Sequence, residues 1–460
     1  MLNLPSDAYN ATGLLDEDRP LVAQMVDQWR AHLLGNRQRN DYYLMHNLPK
    51  MLGIAVPSSV SSMLNSSCGW AKKAVDVMVE HSVFDGFSST DQGIEDQLWD
   101  ISRANNLGGI YRKAATSALT NGFCAFIVSQ GADGKAIITA RTASNCTGIW
   151  DSSQGRITAG MFVVSLRKDS NGLPTNEPDW IDVLTDNYII RLTSPVEGRW
   201  YAAYEPHGLG RCPMFVAAYE PTLERPFGSS RITREVMGLV DEAVRAFVDE
   251  SVAAAFAASP QRYLLGTESD PFDEAQELRY KAWIGHIFNV DMAPDGTIPT
   301  YGQLPQPSMQ PLTDHFRNLC GRMSAATGVH VSQFGLVHDQ PASGDAIYME
   351  NEPLILKVRD WNADASRTLS QVGTAAAAIE VGATYDDFAN LGIDIFANFK
   401  NPAMPTLSQM TDSAVKIASV CPWFAQTPTF FSMLGFSDDE RRRIDRERQE
   451  VAILDVGGEV

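Results

Sequence analysis

Two histidines, a serine and an aspartate lie close together in the stretch ATGVHVSQFGLVHDQPASGDAI, residues 326–347. His330 and His338 could bind a metal or act as general bases, and Ser332, His338 and Asp339 could form a nucleophilic triad. The spacing of the histidines matches no common metal site, and a triad is defined by geometry that a sequence does not contain. The stretch is therefore an active site, a metal site or a connecting loop. The loop is favoured because short motifs often match by chance.

The rest of the sequence lacks the short motifs of common enzymes. It has no phosphate-binding P-loop, no Gly-x-Ser-x-Gly elbow, no His-Glu-x-x-His zinc motif and no EF-hand loop. The Gly-x-Gly in GLGRCP, residues 208–213, lacks the third glycine of a dinucleotide-binding turn and precedes a proline. The six cysteines contain no Cys-x-x-Cys pair, which predicts reduced and mostly buried thiols. We therefore expect no cofactor, no bound metal and no enzymatic activity.

Two long amphipathic helices are predicted upstream of the histidine stretch. The first, residues 230–258, can be capped by Ser229 or Ser230, and its apolar residues recur at steps of three or four. The second helix is predicted over residues 307–328, and the segment 259–306 between the two predicts short strands bounded by proline and glycine. The polar face of the first helix carries Asp241, Glu242, Arg245, Asp249 and Glu250.

Other elements surround this helix pair. A long helix over residues 345–381 follows the histidine stretch, and Pro353 inside it should cause a kink. Amphipathic helices are predicted over residues 17–36, ending at a glycine, and over residues 69–87. Between residues 122 and 204 the chain predicts antiparallel strands, because short runs rich in Val, Ile, Phe and Tyr alternate with turn residues.

The C-terminal residues 382–460 also predict helices. Thr406 with Gln409, and Ser437 with Glu440, have the spacing of capping boxes. The arginine-rich run DDERRRIDRER alternates in charge sign and predicts a solvated helix face. Helical blocks around one antiparallel β region indicate the α+β fold class.

The chain has 460 residues and a formal net charge of −19. A surface this acidic repels polyanions, and a protein that grips DNA needs clustered lysine and arginine, so tight DNA binding is excluded. No apolar run is long enough for a transmembrane helix, and the first residues lack the basic and apolar parts of a signal peptide. We therefore expect no membrane association.

The order of several local stretches resembles the portal proteins of tailed bacteriophages, in particular those of long-tailed actinobacterial phages. YYLMHNLPKMLGIAVPSSV (42–60) resembles their double-tyrosine segment, and GWAKKAVDVMVEHSVFDGF (69–87) resembles their tryptophan helix. GRCPMFVAAYEPTLERPFGSSRI (210–232) resembles the stretch that enters the first stem helix. LCGRMSAATGVHVSQFG (319–335) and PASGDAIYMENEPLILKV (341–358) resemble the most recognisable segment of the family. The resemblance covers nearly the whole chain.

The resemblance implies a portal fold with named parts. These are a wing (1–228), stem helices (229–258 and 307–328), a clip (259–306), a tunnel loop (329–344), a long kinked wing helix (345–381) and C-terminal wing and crown helices (382–460). It also implies three groups of functional residues. The polar residues of the first stem helix named above would face the channel. The tunnel-loop residues facing DNA would be Val331, Ser332, Gln333, Phe334, His338, Asp339 and Gln340. The clip residues contacting partner proteins would be Arg262, Glu268, Asp270 and Asp273.

The family also implies a function and partners. Its members form a ring, commonly a dodecamer, at one capsid vertex, and double-stranded genomic DNA is packaged and ejected through it without sequence-specific contacts. The implied partners are the terminase large subunit, a head–tail adaptor, the major capsid protein and a scaffolding protein. Two alternatives stay open: another virion structural or head-completion protein, and a hydrolase that uses the 330–339 loop.

Overall fold

The computed structural model describes residues 2–5, 7–47, 66–196, 198–258, 262–265, 300–303, 308–336, 344–403, 407–436 and 440–448. Two compact units divide the chain. The first unit contains the described parts of Met1–Asn47, Gly69–Met237 and Ser324–Val460. The second unit contains the described parts of Leu48–Cys68 and Gly238–Met323.

Helices and strands both occur throughout the described residues, which confirms the α+β class. The helices are α1 (Arg19–Tyr43), α2 (Trp70–His81), α3 (Gln92–Ala104), α4 (Leu107–Asn121), α5 (Arg234–Ala258), α6 (Gln310–Thr327), α7 (Gly344–Val381), α8 (Tyr385–Ala389), α9 (Leu407–Val420) and α10 (Pro428–Met433). The strands are β1 (Phe84–Ser89), β2 (Phe123–Gln130), β3 (Ala136–Thr142), β4 (Cys146–Asp151), β5 (Arg156–Lys168), β6 (Pro174–Leu184), β7 (Tyr188–Val196), β8 (Arg199–Pro206), β9 (Met214–Ala218), β10 (Arg262–Leu265), β11 (Thr300–Gln303) and β12 (Ile395–Phe399). Residues 440–448 are also helical.

The predicted antiparallel region forms a five-stranded sheet in the order β4-β5-β6-β7-β8, so each strand pairs with the next one along the chain. Alternate residues of its central strands, such as Met161, Ile181 and Leu192, are buried in one cluster with Met25 and Trp29 of α1. Burying one face of the sheet under a helix explains the alternating apolar pattern. The sequence did not predict β4 or β6. Two prolines and several polar residues give β6 no strand pattern in the sequence, and the strand pairs regularly only from Trp180 onward.

A second sheet has the order β3-β2-β9, and both α4 and α7 contact its central strand β2. Residues Phe123 to Val128 of β2 are all buried, as expected for a strand covered on both faces. Helix α7 agrees closely with the predicted helix 345–381, and it continues through Pro353. The kink stays a prediction. The predicted apolar stripe of α7 is buried at Leu354, Val358, Trp361, Ala365, Leu369, Val372 and Ala376.

Two predicted helix boundaries in the first unit are wrong. Helix α1 continues past Gly35 to Tyr43, because Asn36 donates to the carbonyl oxygen of Ala143 at 3.1 Å and tertiary contacts outweigh the small cost of a glycine. The predicted helix 69–87 ends at His81, and the residues after it form β1.

Strand β1 pairs antiparallel with β12, which lies in the C-terminal region predicted to be helical only. The prediction that the C-terminal region contains only helices is therefore wrong at β12. The two strands are far apart in the sequence, and local periodicity gives no signal for such pairing. Both predicted capping boxes of the C-terminal region include residues outside the described part of the chain.

The second unit contains most of α5 and α6, together with β10 and β11, which pair antiparallel. Glu242 pairs with Arg322 at 3.2 Å, and the rings of Phe247 and Phe316 lie 5.4 Å apart. The two contacts are made in opposite chain order, so the helices run antiparallel. Helix α5 starts at Arg234, later than predicted, and neither Ser229 nor Ser230 caps it. Instead the Thr233 hydroxyl accepts a hydrogen bond from the amide of Val236 at 3.3 Å.

All six cysteines are free thiols, as predicted; they are Cys68, Cys124, Cys146, Cys212, Cys320 and Cys421. Burial raises the pKa of Cys124, Cys146 and Cys212, which keeps these thiols protonated. Within the described residues, the helices are too short or too polar to span a bilayer.

Candidate functional site

One buried arginine in the first unit joins the residues before α5 to the last residue of α6. Arg231 is only 4% exposed. Its Nη2 donates to the carbonyl oxygen of Thr327 at 2.6 Å, and its Nε donates to the carbonyl oxygen of Ala74 in α2 at 2.6 Å. Its Nη1 donates to the Tyr219 hydroxyl at 3.2 Å. Hydrogen bonds from a charged donor are stronger than neutral ones, so this guanidinium fixes the ends of two long helices against α2.

Gly228, three residues before Arg231, adopts a left-handed backbone conformation that favours glycine. Gly228 has a φ of +67°, and a Cβ added to it would lie 2.2 Å from the carbonyl oxygen of Tyr219. The amide of Ser229 donates to that same oxygen at 2.8 Å. Burial raises the pKa of Tyr219 to about 12, against the opposing charge of Arg231, so its hydroxyl stays neutral.

A second buried polar network fixes α7 beside this arginine. The Trp361 Nε1 of α7 donates to the Tyr111 hydroxyl of α4 at 2.8 Å. The Tyr111 hydroxyl lies 2.6 Å from the Ser82 Oγ, which donates to the Asn362 Oδ1 at 2.6 Å. The Trp361 ring also meets the ring of Tyr219 edge-on at 6.2 Å. A fully satisfied network of this kind specifies one arrangement of the surrounding helices.

The segment after α6 is partly buried. Gly328 has a φ of +70° and ends the helix, as predicted, with its amide bonded to the carbonyl oxygen of Ser324 at 2.8 Å. Val329 is buried, and residues Val331–Phe334 form one 3₁₀ turn. The Phe334 ring is buried and meets the Trp70 ring edge-on at 5.7 Å.

The ring nitrogens of His330 are both engaged within the chain. Its Nδ1 accepts a hydrogen bond from the Ser332 amide at 3.3 Å and lies 2.8 Å from the Ser332 Oγ. Its Nε2 lies 3.3 Å from the Glu350 Oε2 of α7. The histidine therefore caps the 3₁₀ turn and links it to α7, which is a structural arrangement. The triad of Ser332, His338 and Asp339 includes two residues outside the described part of the chain.

The predicted tunnel-loop residues are placed differently from one another. Ser332 and Gln333 are exposed, and Val331 is half-buried. Phe334 was expected to face DNA, but its contact with Trp70 places it in the core of the subunit, because an aromatic ring gains more from burial than from exposure. Phe334 is therefore removed from that group. The other three predicted residues, His338, Asp339 and Gln340, lie outside the described residues.

The predicted channel face of α5 is only partly open in the single chain. Glu250 is exposed, whereas Asp241, Arg245 and Asp249 are half-buried. Glu242 pairs with Arg322 of α6, so it contacts the antiparallel helix. Of the predicted clip contacts, Arg262 lies on β10, while three lie outside the described residues: Glu268, Asp270 and Asp273. Within the described part of the chain, no group of three or more His, Cys, Asp or Glu could hold a metal.

The sequence matches the family model of phage portal protein, SPP1 Gp6-like, over residues 62–452. The chain belongs to this family of phage portal proteins. The resemblance predicted from local stretches is thus confirmed, and the function is that of a phage portal protein. The portal protein of Mycobacterium phage D29 is 23% identical over 452 residues, which cover 95% of this chain and 90% of that protein. The portal protein of Mycobacterium phage L5 is 23% identical over 429 residues, which cover 90% and 85%.

Among solved structures, a chain from the neck of a native GTA particle, computed with C12 symmetry, is similar with a TM-score of 0.45 and 14% identity. The similarity covers 80% of this portal-family chain and 89% of that chain. The neck of an empty GTA particle, computed with C6 symmetry, has a TM-score of 0.44 and 11% identity, and the coverage is 83% and 95%.

Sequence reasoning missed the residues that organise this portal subunit. Arg231 and Tyr219 lie inside the motif that carries the family resemblance, yet nothing in their spacing shows that they are buried together. The run DDERRRIDRER was predicted to be solvated, which is wrong for Arg441: its Nη2 lies 3.1 Å from the Asp85 Oδ2, and both side chains are mostly buried. Arg442 also pairs with Asp96 at 2.6 Å. The signal that could have indicated this is the row of acidic residues near β1 and α3.

Proposed function

We propose that copies of this chain assemble into a closed ring, a dodecamer, at one vertex of a phage capsid. Double-stranded DNA enters and leaves the capsid through the ring, and the protein is thus a component of the virion. The observation that carries this proposal is the family match, which extends over residues 62–452 and includes the helix pair. Closed rings use head-to-tail contacts, so the two sides of each subunit differ and fit each other.

The parts of the proposed ring follow the implied division of the chain. Residues 229–258 and 307–328 are the stem, 259–306 the clip, and 329–344 the tunnel loop. Residues 1–228 and the long helix 345–381 form the wing, and residues 382–460 add further wing helices and the crown. The antiparallel packing of α5 on α6 supports the stem assignment. The exposed Ser332 and Gln333 support a tunnel loop that reaches DNA, with Phe334 directly after them anchored in the interior.

The charge of the chain suits a conduit that must not hold DNA. Each lysine or arginine that contacts a phosphate adds affinity and would slow translocation. The formal charge of −19 is repeated in every copy of the ring, which repels the duplex and keeps it mobile. We assign the channel-facing role to the charged residues of α5, namely Asp241, Arg245, Asp249 and Glu250. Glu242 instead pairs with Arg322 of α6.

The proposed partners act at the two ends of the ring. The clip, through Arg262, Glu268, Asp270 and Asp273, binds the terminase large subunit during packaging and a head–tail adaptor afterwards. The wing meets the major capsid protein and a scaffolding protein during assembly. No observation favours the hydrolase alternative, since both nitrogens of His330 are engaged in structural contacts.

A pair of charge variants tests the proposal. In assembled rings, Asp249→Asn with Glu250→Gln should raise the retention of linear duplex DNA at low salt by about tenfold, because repulsion inside the channel is reduced. The matched control is Asp16→Asn with Glu17→Gln, an adjacent acidic pair that is exposed in the wing region. Retention is measured by filter binding across a salt series. Equal retention by the stem variant, the wing variant and the unmodified ring would contradict the proposed channel face.

A further inference from the structure

A recess of about 590 Å³ lies in the first unit, between the start of β1, the end of α3, the start of α4 and residues 440–448. Four cationic side chains line this basic recess, namely Arg103, Lys400, Arg443 and Arg446. Among the described lining residues, Asp85 is the one carboxylate, and Arg441 pairs with it at 3.1 Å. The recess is thus positive on a chain whose formal charge is −19. The proposed portal function assigns no role to these residues, and the inference below does not depend on ring assembly.

Two arginines hold residues 440–448 in place beside the recess. Arg441 pairs with Asp85, and both side chains are mostly buried. Arg442 pairs with Asp96 of α3 at 2.6 Å. Partly buried ion pairs are screened less by salt than exposed ones, so these contacts anchor the helix. The arginines that follow in the sequence are therefore held at the recess without being needed for the attachment.

The cations of the basic recess are not neutralised by firm ion pairs. Within the described ranges, no carboxylate lies within ion-pair distance of Arg103, Lys400 or Arg446. Arg443 pairs with Glu447 at 3.0 Å, but both side chains are mostly exposed, so the pair contributes little and can exchange for another carboxylate. Arg443 and Arg446 lie three positions apart, on the same face of the helix. Positive charges gathered in this way attract an anionic partner and select against a cationic one.

The floor of the basic recess is aromatic. Phe84 and Trp99 line it, and both side chains are half-buried. The guanidinium groups of Arg103 and Arg442 each lie 5.3 Å from the centre of the Trp99 ring, which fixes the ring against the walls. Aromatic rings and arginines are enriched at the centres of protein–protein interfaces. The recess therefore suits carboxylates and apolar side chains together.

Exposed carboxylates on the helices that form the walls favour a short partner over DNA. Asp96 and Asp100 are exposed on α3, and Glu447 is exposed on the C-terminal helix. A DNA duplex is a long and uniform polyanion, so its phosphates beyond the recess would meet these carboxylates and be repelled. A short acidic segment places its charges within the recess alone.

We propose that the basic recess binds a short acidic segment of a partner protein, in which carboxylates are interspersed with apolar side chains. The carboxylates would accept hydrogen bonds from the guanidinium groups of Arg103, Arg443 and Arg446, whose planar forks suit carboxylate geometry. The ammonium group of Lys400 would add a further positive charge. The apolar side chains would pack on the two aromatic rings of the floor.

Fluorescence anisotropy with the full-length protein tests the proposal, and the probe is a labelled synthetic peptide of six glutamates and two leucines. The peptide should bind saturably at low salt and more weakly at high salt, because salt screens exposed charges. Arg443→Gln with Arg446→Gln should weaken its binding by about tenfold, since two ion pairs are lost. The matched control is Arg359→Gln with Arg367→Gln, which removes the same charge from the exposed surface of α7 and should leave the binding unchanged.

A second peptide tests the aromatic floor. With serines in place of the leucines it should bind about threefold more weakly, because apolar contact with the floor is lost. The proposal is overturned if the first peptide shows no saturable binding, if both double variants bind it alike, or if the two peptides bind alike.

Two other occupants of the basic recess would also overturn the proposal. A short DNA duplex that binds more tightly than the peptide, and loses this binding in the Arg443→Gln, Arg446→Gln variant, would identify a nucleic acid. A change in the size of that variant's own assemblies, measured by analytical ultracentrifugation, would identify a second copy of the chain.

Discussion

The strongest stability prediction concerns Arg231, because a single side chain there joins three separate parts of the first unit. Replacing it with methionine keeps an unbranched side chain of similar length but removes every donor. The carbonyl oxygens of Ala74 and Thr327 then lose hydrogen bonds of 2.6 Å, and the Tyr219 hydroxyl loses its contact. All of these groups lie in the interior, where water replaces a lost donor poorly.

The size of the effect follows from the number and type of bonds. A hydrogen bond to a charged group contributes about 1.5–3 kcal/mol, and a buried acceptor left without a donor adds to the loss. Two such bonds to carbonyl oxygens predict that Arg231→Met destabilises the fold by about 3–5 kcal/mol. Lysine reaches only one of the carbonyl oxygens, so Arg231→Lys should lose about half of that amount.

Hydrogen exchange with mass spectrometry is the suitable assay, because a chain with two units does not unfold in one step. The amides around Gly328 and the amides of α2 should exchange faster in Arg231→Met. Arg234→Met is the control: Arg234 is exposed three residues further on, and its replacement should change stability by less than about 0.5 kcal/mol. If the two variants exchange alike at these amides, the role assigned to Arg231 is wrong.

Two further predictions concern the first unit. Gly228→Ala should destabilise this unit by more than about 3 kcal/mol, because strain at positive φ and a clash with the backbone add together. Gly172 also has a positive φ but open space around it, so Gly172→Ala should cost only about 1 kcal/mol. Thermal unfolding of the two variants measures this difference. Burial is the main cause that raises the pKa of Asp182. The carboxyl group of Asp182 therefore stays protonated to higher pH in the folded chain than in the unfolded chain. The stability of the fold falls as pH rises above the ordinary aspartate range. Asp182→Asn should therefore raise the unfolding temperature at about pH 7 and leave it unchanged at about pH 3, where both states are protonated; an equal effect at both pH values would contradict the assigned cause.

The long helices could be predicted from the sequence because their signal is local. Within each of α5, α6 and α7, the apolar residues recur every three or four positions, so periodicity alone identifies the helix. Gly328 likewise marks the end of α6 by its residue type. The pairing of β1 with β12 depends on residues that are distant in the chain, and no local pattern indicates it. Helix α1 continues beyond its predicted end at Gly35 because contacts with a distant part of the chain stabilise its last turns.

The site was less predictable than the fold. Histidine side chains are common in active sites and metal sites, yet His330 serves as a cap and a link to α7. The residue that joins the helix ends, Arg231, has an ordinary charge type and becomes important only through its burial. Arginine is rarely buried, so sequence alone favours an exposed side chain at that position.

Identical copies of this chain are proposed to form a ring around a DNA channel whose wall is built by α5. Electron cryomicroscopy of the purified full-length protein should then show closed rings with a central opening wide enough for a DNA duplex. Asp249 and Glu250 should lie on the inner wall, where negative charge keeps the duplex mobile. Monomers or dimers alone at high concentration across salt conditions, or rings whose opening is lined by other elements, would refute the proposed channel.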